Sequence, residues 1–285
     1  MKNIAGHVGV AIAGLLSFAL TVAVVAAIEH YTGFNLFTLS FWLILPAGAL
    51  ITGAAAAAGF YYASLLFHTR PTWFMLVEVV VLAAAAMLAI YYVEYLTYAL
   101  EDGTLVASLI SFPEYMQIYL TSMEMSIGRS MTSTGQAVGD FGYVLAAIQF
   151  VGFILGGIFV WLMLRNQPVH EKCGRYLRNL VKRDQQFSAQ EDFTKAYDNL
   201  FAQPVDTPAF GDWLRWSPRP KGQAATQGVI QTTSTLKGCP HCGDQQVHQV
   251  VSVVNNKGEW KEVPQLARAV RIPEGIDLRP AFRAV

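Results

Sequence analysis

The residues of this chain best suited to chemistry are three cysteines and a histidine in two short motifs. One is His170-Glu171-Lys172-Cys173-Gly174 and the other is Cys239-Pro240-His241-Cys242-Gly243. Each motif separates two soft or borderline ligands by two residues and then places a glycine. A tight turn at that spacing aims both ligands at one point, and glycine permits the backbone geometry that brings amides toward sulfur. Together the motifs offer one His and three Cys, a full tetrahedral set for zinc. Four protein ligands leave no open coordination position, so such a site is structural rather than catalytic.

Cys239-Pro240-His241-Cys242-Gly243 resembles the zinc knuckle of zinc-ribbon or rubredoxin-like domains. His170-Glu171-Lys172-Cys173-Gly174 resembles a second knuckle whose first Cys is replaced by His. The resemblance covers about ten residues and a following hairpin, and it implies a structural zinc held by His170, Cys173, Cys239 and Cys242. Roughly 65 residues separate the knuckles; closure entropy grows slowly with length, so this does not prevent closure. Three other readings stand beside it. His241 or His248 can replace His170 as the fourth ligand. Cys239 and Cys242 can form a thiol–disulfide pair, since Cys-Pro-His-Cys also occurs in thioredoxin-fold oxidoreductases, where it opens a helix. The cysteines can also be inert.

These motifs must be positioned by very different flanking sequence. Apolar residues make up 53% of the chain and charged residues 14%, against roughly 25% in soluble proteins. Net charge is zero but uneven. Up to Leu164 the basic residues are Lys2, Arg70 and Arg129, against eight acids; from Arg165 onward there are 17 basic and 12 acidic residues. The front half carries four apolar stretches, 4–28, 41–67, 73–100 and 141–164, each long enough to cross ~30 Å of hydrocarbon as a helix. The first is longer than a signal-peptide core and is read as an uncleaved helix.

Basic residues cluster after the fourth stretch: Arg165, Lys172, Arg175, Arg178, Lys182 and Arg183. By the positive-inside rule both termini then face the cytoplasm and the 101–140 loop lies outside, as expected for a bacterial inner (plasma) membrane protein. Gly152 and Gly156 form a GxxxG, read as a packing face within the bundle. Glu78, a turn and a half into the third stretch, is the candidate intramembrane polar site. Glu94 lies near the other end, beside Tyr91, Tyr92, Tyr95 and Tyr98, which read as an interfacial belt from which Glu94 reaches the headgroups. Glu78 and Glu94 fall on nearly opposite helix faces and do not pair. In the loop, Pro113 opens a short helix through about residue 127; Met116, Met123, Met125 and Met131 read as part of a surface helix rather than a copper site.

The tail, 166–285, holds nine of the twelve prolines. Residues 176–201 read as a helical segment, with Ser188 and Glu191 as a capping box. Residues 221–237 read as a linker or an exposed loop. A β-rich run over 247–254, an Asn-Asn-Lys-Gly turn and a returning 259–263 complete a zinc-ribbon-like hairpin, 237–264.

The fold class expected is therefore an α-helical membrane protein: a four-helix transmembrane bundle, 1–165, followed by a small α+β zinc-ribbon-like cytoplasmic domain. No nucleophile–base set, phosphate loop or HExxH occurs. The leading function is a non-enzymatic membrane protein whose zinc-stabilised domain binds a protein partner or assembles into a homo-oligomer, with lipid around the bundle. The alternatives are a small transporter or channel using Glu78, and a membrane-tethered thiol redox protein using Cys239 and Cys242. The tail's small basic excess gives nucleic-acid contact little support.

Overall fold

The protein is described from a computed structural model covering residues 4–39, 46–122, 124–126, 133–137, 139–219 and 226–283. Two compact units emerge, Met1–Gln167 and Pro168–Val285.

The first unit is built from α1 (Ile4–Thr32), α2 (Ala47–Ala56), α3 (Ala58–Phe67), α4 (Trp73–Thr97), α5 (Phe112–Ser122), a short β1–β2 pair (Glu124–Ser126 with Ser133–Ala137) and α6 (Phe141–Arg165). Four segments are long and apolar enough to cross a membrane: Ile4–Thr32, Ala47–Phe67, Trp73–Thr97 and Phe141–Arg165. Their outward faces stay greasy, with Leu16, Leu20, Ile51, Leu66, Phe74 and Phe159 exposed. That surface suits acyl chains and is unsuited to water. Residues 41–45, where the second apolar stretch begins, lie outside the described set. So do Met123 and Met131; the loop helix itself stops at Ser122, short of residue 127.

The second span is interrupted at Ala57, between α2 and α3. In a regular helix Gly59 N–H would bond Ala55 C=O. Here the Ser17 hydroxyl of α1 stands between them, accepting from Gly59 N at 3.2 Å and donating to Ala55 O at 3.3 Å. A side chain inserted into the helical ladder is a recognised cause of a break, and it keeps both backbone groups satisfied. Pro46 precedes α2, where its missing N–H costs nothing.

Small residues set the helix spacing. A Cβ at Gly156 of α6 would lie 2.2 Å from Leu50 O, and one at Gly53 of α2 would lie 2.0 Å from Phe153 O. The GxxxG is thus spent on the α2–α6 contact within the chain. Trp161 Nε1 donates to Thr72 O at 3.2 Å, pinning α6 to the turn before α4.

The second unit contains β3 (Val169–His170), β4 (Arg175–Tyr176), β5 (Arg178–Phe187), α7 (Gln190–Leu200), α8 (Pro208–Arg215), β6 (Ile230–Gly238), β7 (Gln245–Val254), β8 (Trp260–Glu262), β9 (Arg268–Arg271) and α9 (Arg279–Phe282). Strands β5, β6, β7 and β8 form an antiparallel sheet in that order, and β9 pairs with the other half of β7's edge. The β7–β8 hairpin matches the expected one. Two expectations fail. Residues 178–187 are a strand rather than the first part of a helix over 176–201, and 230–237 are a strand rather than linker.

The reason lies in the inward residues. On β5 they include Gln185 and Phe187; on β6 they are Thr232, Ser234 and Leu236. A polar inward face hides the period-2 pattern, and tertiary pairing overrides the helix propensity of Lys, Arg and Gln. Ser188 does not cap α7; its hydroxyl accepts from Arg219 Nη1 at 3.3 Å, and Ala189 holds the cap position.

Helices α7, α8 and α9 cover this inward face. Leu200, Phe210, Leu214, Leu236, Val247 and Phe282 form one apolar cluster; Phe187, Phe193, Tyr197 and Val251 form another. Gln185 is 2% exposed and fully used: Nε2 donates to Trp213 O at 2.8 Å and Trp216 O at 2.7 Å, while Oε1 accepts from Thr232 Oγ1 at 3.1 Å. It clamps the end of α8 to the sheet.

Two stability predictions follow from these contacts. Gly156→Val should force α2 and α6 apart and lower the thermal midpoint of the detergent-solubilised chain, because the obstructing atom is backbone and cannot rotate away; an unchanged midpoint would refute the close contact. Gln185→Ala should destabilise the second unit by about 2–4 kcal/mol in denaturant unfolding, since two carbonyls and a hydroxyl lose a buried partner.

Candidate metal centre

Each knuckle closes a hairpin. The first fills the β3–β4 turn, where His170 pairs with Arg175. The second fills the β6–β7 turn, where Gly238 pairs with Gln245. The turns are built alike. Gly174 N donates to His170 O at 2.8 Å, and Gly243 N donates to Cys239 O at 3.0 Å. Gly174 at φ 64° and Gly243 at φ 79° are left-handed, a conformation that costs an L side chain strain. Cys239 N further donates to Asp244 O at 2.8 Å, locking the second loop.

The knuckles meet because β5 and β6 run antiparallel in a fixed register. Arg178, just after the first knuckle, pairs with Gly238, just before the second. The intervening segment is therefore no obstacle: β5, α7, α8 and β6 lead away from the site and return to it. A register irregularity between Asn179 and Val181 leaves Leu180 out of the pairing, next to Gly238.

The ligand atoms of His170, Cys173, Cys239 and Cys242 lie within 4.8 Å of one another, so the group can hold a metal ion. His170 Nδ1 is 3.6 Å from Cys242 Sγ. That matches the roughly 3.5–3.8 Å edge of a tetrahedron with bonds of ~2.0–2.3 Å. His170 and Cys239 are buried, and Cys242 is exposed. All three cysteines are free thiols.

Electrostatics fit the same reading. Hydrogen bonding to Cys242, with burial and Cys239 adding to it, pushes the Cys173 thiol up to about 11. Burial opposes ionisation of Cys239, yet the backbone N–H groups of Cys242 and His241 outweigh it and hold that thiol below its ordinary value. Three converging thiols cannot all ionise without a cation among them, and a metal displaces their protons.

One contributor was not anticipated. Asp244 Oδ2 lies 3.0 Å from His170 Nε2. A carboxylate there accepts a hydrogen bond from Nε2–H, which fixes the tautomer that leaves the Nδ1 lone pair facing the sulfurs, as in carboxylate–histidine–metal sites. The signal available was the acid directly after Cys242-Gly243. The end of β9 and the segment after it brace the first knuckle from outside, through ion pairs of Arg271 with Glu171 at 2.6 Å and of Lys172 with Glu274.

His241 Nδ1 is 3.8 Å from Cys173 Sγ, exposed at the rim, and stands outside the four-ligand group. His248 sits on β7 opposite Thr235, also outside it. Cys-Pro-His-Cys fills a strand–strand turn, not the start of a helix. Glu78 is partly exposed and lines a cleft of about 330 Å³ with Ala11, Leu15, Phe60, Val77, Val81 and Leu82, apart from any second acid in that lining.

No protein-family model, no curated protein and no solved structure matches this chain.

If Asp244 orients His170, Asp244→Asn should weaken metal binding by roughly 10–100-fold in competition with a chromophoric chelator. The loop fold should persist, because the backbone carbonyl of Asp244 is kept. Unaltered affinity would remove Asp244 from the site.

Proposed function

We propose that this chain is a non-enzymatic integral membrane protein that presents a zinc-stabilised domain to a protein partner or to a second copy of itself. The observation that carries the reading is the convergence of one imidazole and three thiols within 4.8 Å. A borderline ion with no geometric preference of its own, tetrahedral and satisfied by sulfur and nitrogen, suits that set best, and zinc is that ion. The ligand set is closed, so the metal has no position for a substrate and acts by holding two hairpins together.

The domain belongs on the cytoplasmic side of a bacterial inner membrane, with both termini there. The support is the run of Arg165, Lys172, Arg175, Arg178, Lys182 and Arg183 after the last span, against Arg70 and Arg129 elsewhere in the connecting segments. A reducing compartment would keep Cys173, Cys239 and Cys242 as the thiolates a metal requires. Thiol redox chemistry is the weaker reading, because the Cys-Pro-His-Cys turn lacks the helix N-terminus that would activate its first cysteine.

Metal analysis of the full chain purified in detergent tests this directly. We expect about one zinc per chain, lost in Cys239→Ser together with the thermal stability of the second unit. A wild-type chain that is metal-free and still well folded would sink the reading.

A further inference from the structure

A second polar cluster sits where α1 and α4 end. Glu29 lies one turn from the C-terminus of α1, and Glu94 one turn from the C-terminus of α4. The two carboxylates are close enough to act on each other electrostatically. One oxygen of each, Glu29 Oε2 and Glu94 Oε2, is buried without a hydrogen-bond partner. Glu94 thus keeps one oxygen inside, and of the expected belt Tyr91 and Tyr95 are packed inside, 4% and 8% exposed, while Tyr92 and Tyr98 face outward.

The surroundings are oxygen-rich. The Tyr91 hydroxyl is buried, lacks a hydrogen-bond partner and feels the charge of both Glu94 and Glu29. Tyr91 stacks edge-on against Tyr119 of α5, and Tyr119 packs on Tyr115. Tyr115 faces Glu94, and Asn35 Nδ2 donates to the Tyr119 hydroxyl at 2.8 Å while its amide also lies beside Glu29. Burial, then the charge of Glu94, pushes the Tyr115 and Tyr119 phenols far above their ordinary range. Among the described residues no lysine or arginine pairs with either carboxylate. His30, next to Glu29, packs its ring on Tyr31.

Two carboxylates placed together in a low-dielectric setting, each with a desolvated oxygen, cannot both stay charged on their own; a proton or a bound cation must neutralise them. The C-terminal ends of α1 and α4 add further negative potential. The donors are all oxygens, and hard cations prefer such sets; two carboxylates match a double charge, and flexible geometry suits Ca²⁺ better than Mg²⁺. We propose that Glu29, Glu94 and the Tyr91 hydroxyl form a binding site for a hard divalent cation of the calcium class, at the end of the bundle where α1 and α4 terminate. The cation would join α1 to α4 there and order α5 above them.

Thermal unfolding of the full chain, in detergent and in chelating-resin-treated buffer, tests this with CaCl₂, MgCl₂ and NaCl as probes. A saturable rise in midpoint with CaCl₂ is expected, larger than with MgCl₂ and absent with NaCl at matched ionic strength. Glu29→Gln/Glu94→Gln should abolish the response and melt no lower than wild type in cation-free buffer, because the repulsion is gone. Should that double variant fail to fold, Tyr91→Phe keeps the ring packing and should raise the half-saturating CaCl₂ concentration several-fold, and Glu94→Gln by about tenfold or more. Cys239→Ser should leave the calcium response of the first unit in place. No saturable response to CaCl₂ or MgCl₂, or a response unchanged in Glu94→Gln and Tyr91→Phe, overturns the proposal.

Discussion

The second unit depends on the pairing of β5 with β6. Nine registered pairs run from Arg178↔Gly238 to Phe187↔Ile230. At one end this pairing brings two turns, far apart in sequence, into a single ligand cluster. At the other it brackets the α7–α8 insertion, whose helices fold back over the inward face. A slip of β5 by one residue would turn Gln185 and Phe187 outward and shift the first knuckle against the second. A metal at the site would fasten one end of the ladder, and the Gln185 network holds it near the other.

The two units are assembled under different rules. In the first, apolar residues face outward and inward alike, so burial of greasy surface cannot select one arrangement of helices in lipid. Close approach does so instead: Gly53 and Gly156 let α2 and α6 touch backbone to backbone, and Ser17 rejoins the ladder it interrupts at Ala57. In the second, the core is partly polar and is specified by satisfied hydrogen bonds. Gln245 shows this well. Its Nε2 donates to Asp277 and its Oε1 accepts from Leu278 N, fixing the C-terminal segment beside the second knuckle. Arg279 and Gln245 in turn hold the Asp277 carboxyl well below the ordinary carboxylate range.

Polar residues were the hardest to place from the chain alone, in both units. Glu94 read as a headgroup-facing acid because its neighbours are tyrosines near a helix end; the α5 segment, 18 or more residues later, returns over it and changes its environment. Gln185 read as part of a helical segment and Thr232 as linker, because a sequence does not reveal that Gln185 will meet Trp213, Trp216 and Thr232. Asp244 carried no signal beyond its place after Cys242-Gly243, since its partner is 74 positions away.

What the sequence determined by itself is whatever depends on local spacing. Four apolar stretches of spanning length, two glycine-terminated knuckles and the β7–β8 hairpin are all legible, because length, turn chemistry and alternation act within a few residues. Only the tertiary structure decided that 178–187 and 230–238 are strands, that four ligands converge, and that Glu29 and Glu94 share a site. Each of these follows from long-range pairing, in which a residue's environment is supplied by partners that its own neighbourhood does not encode.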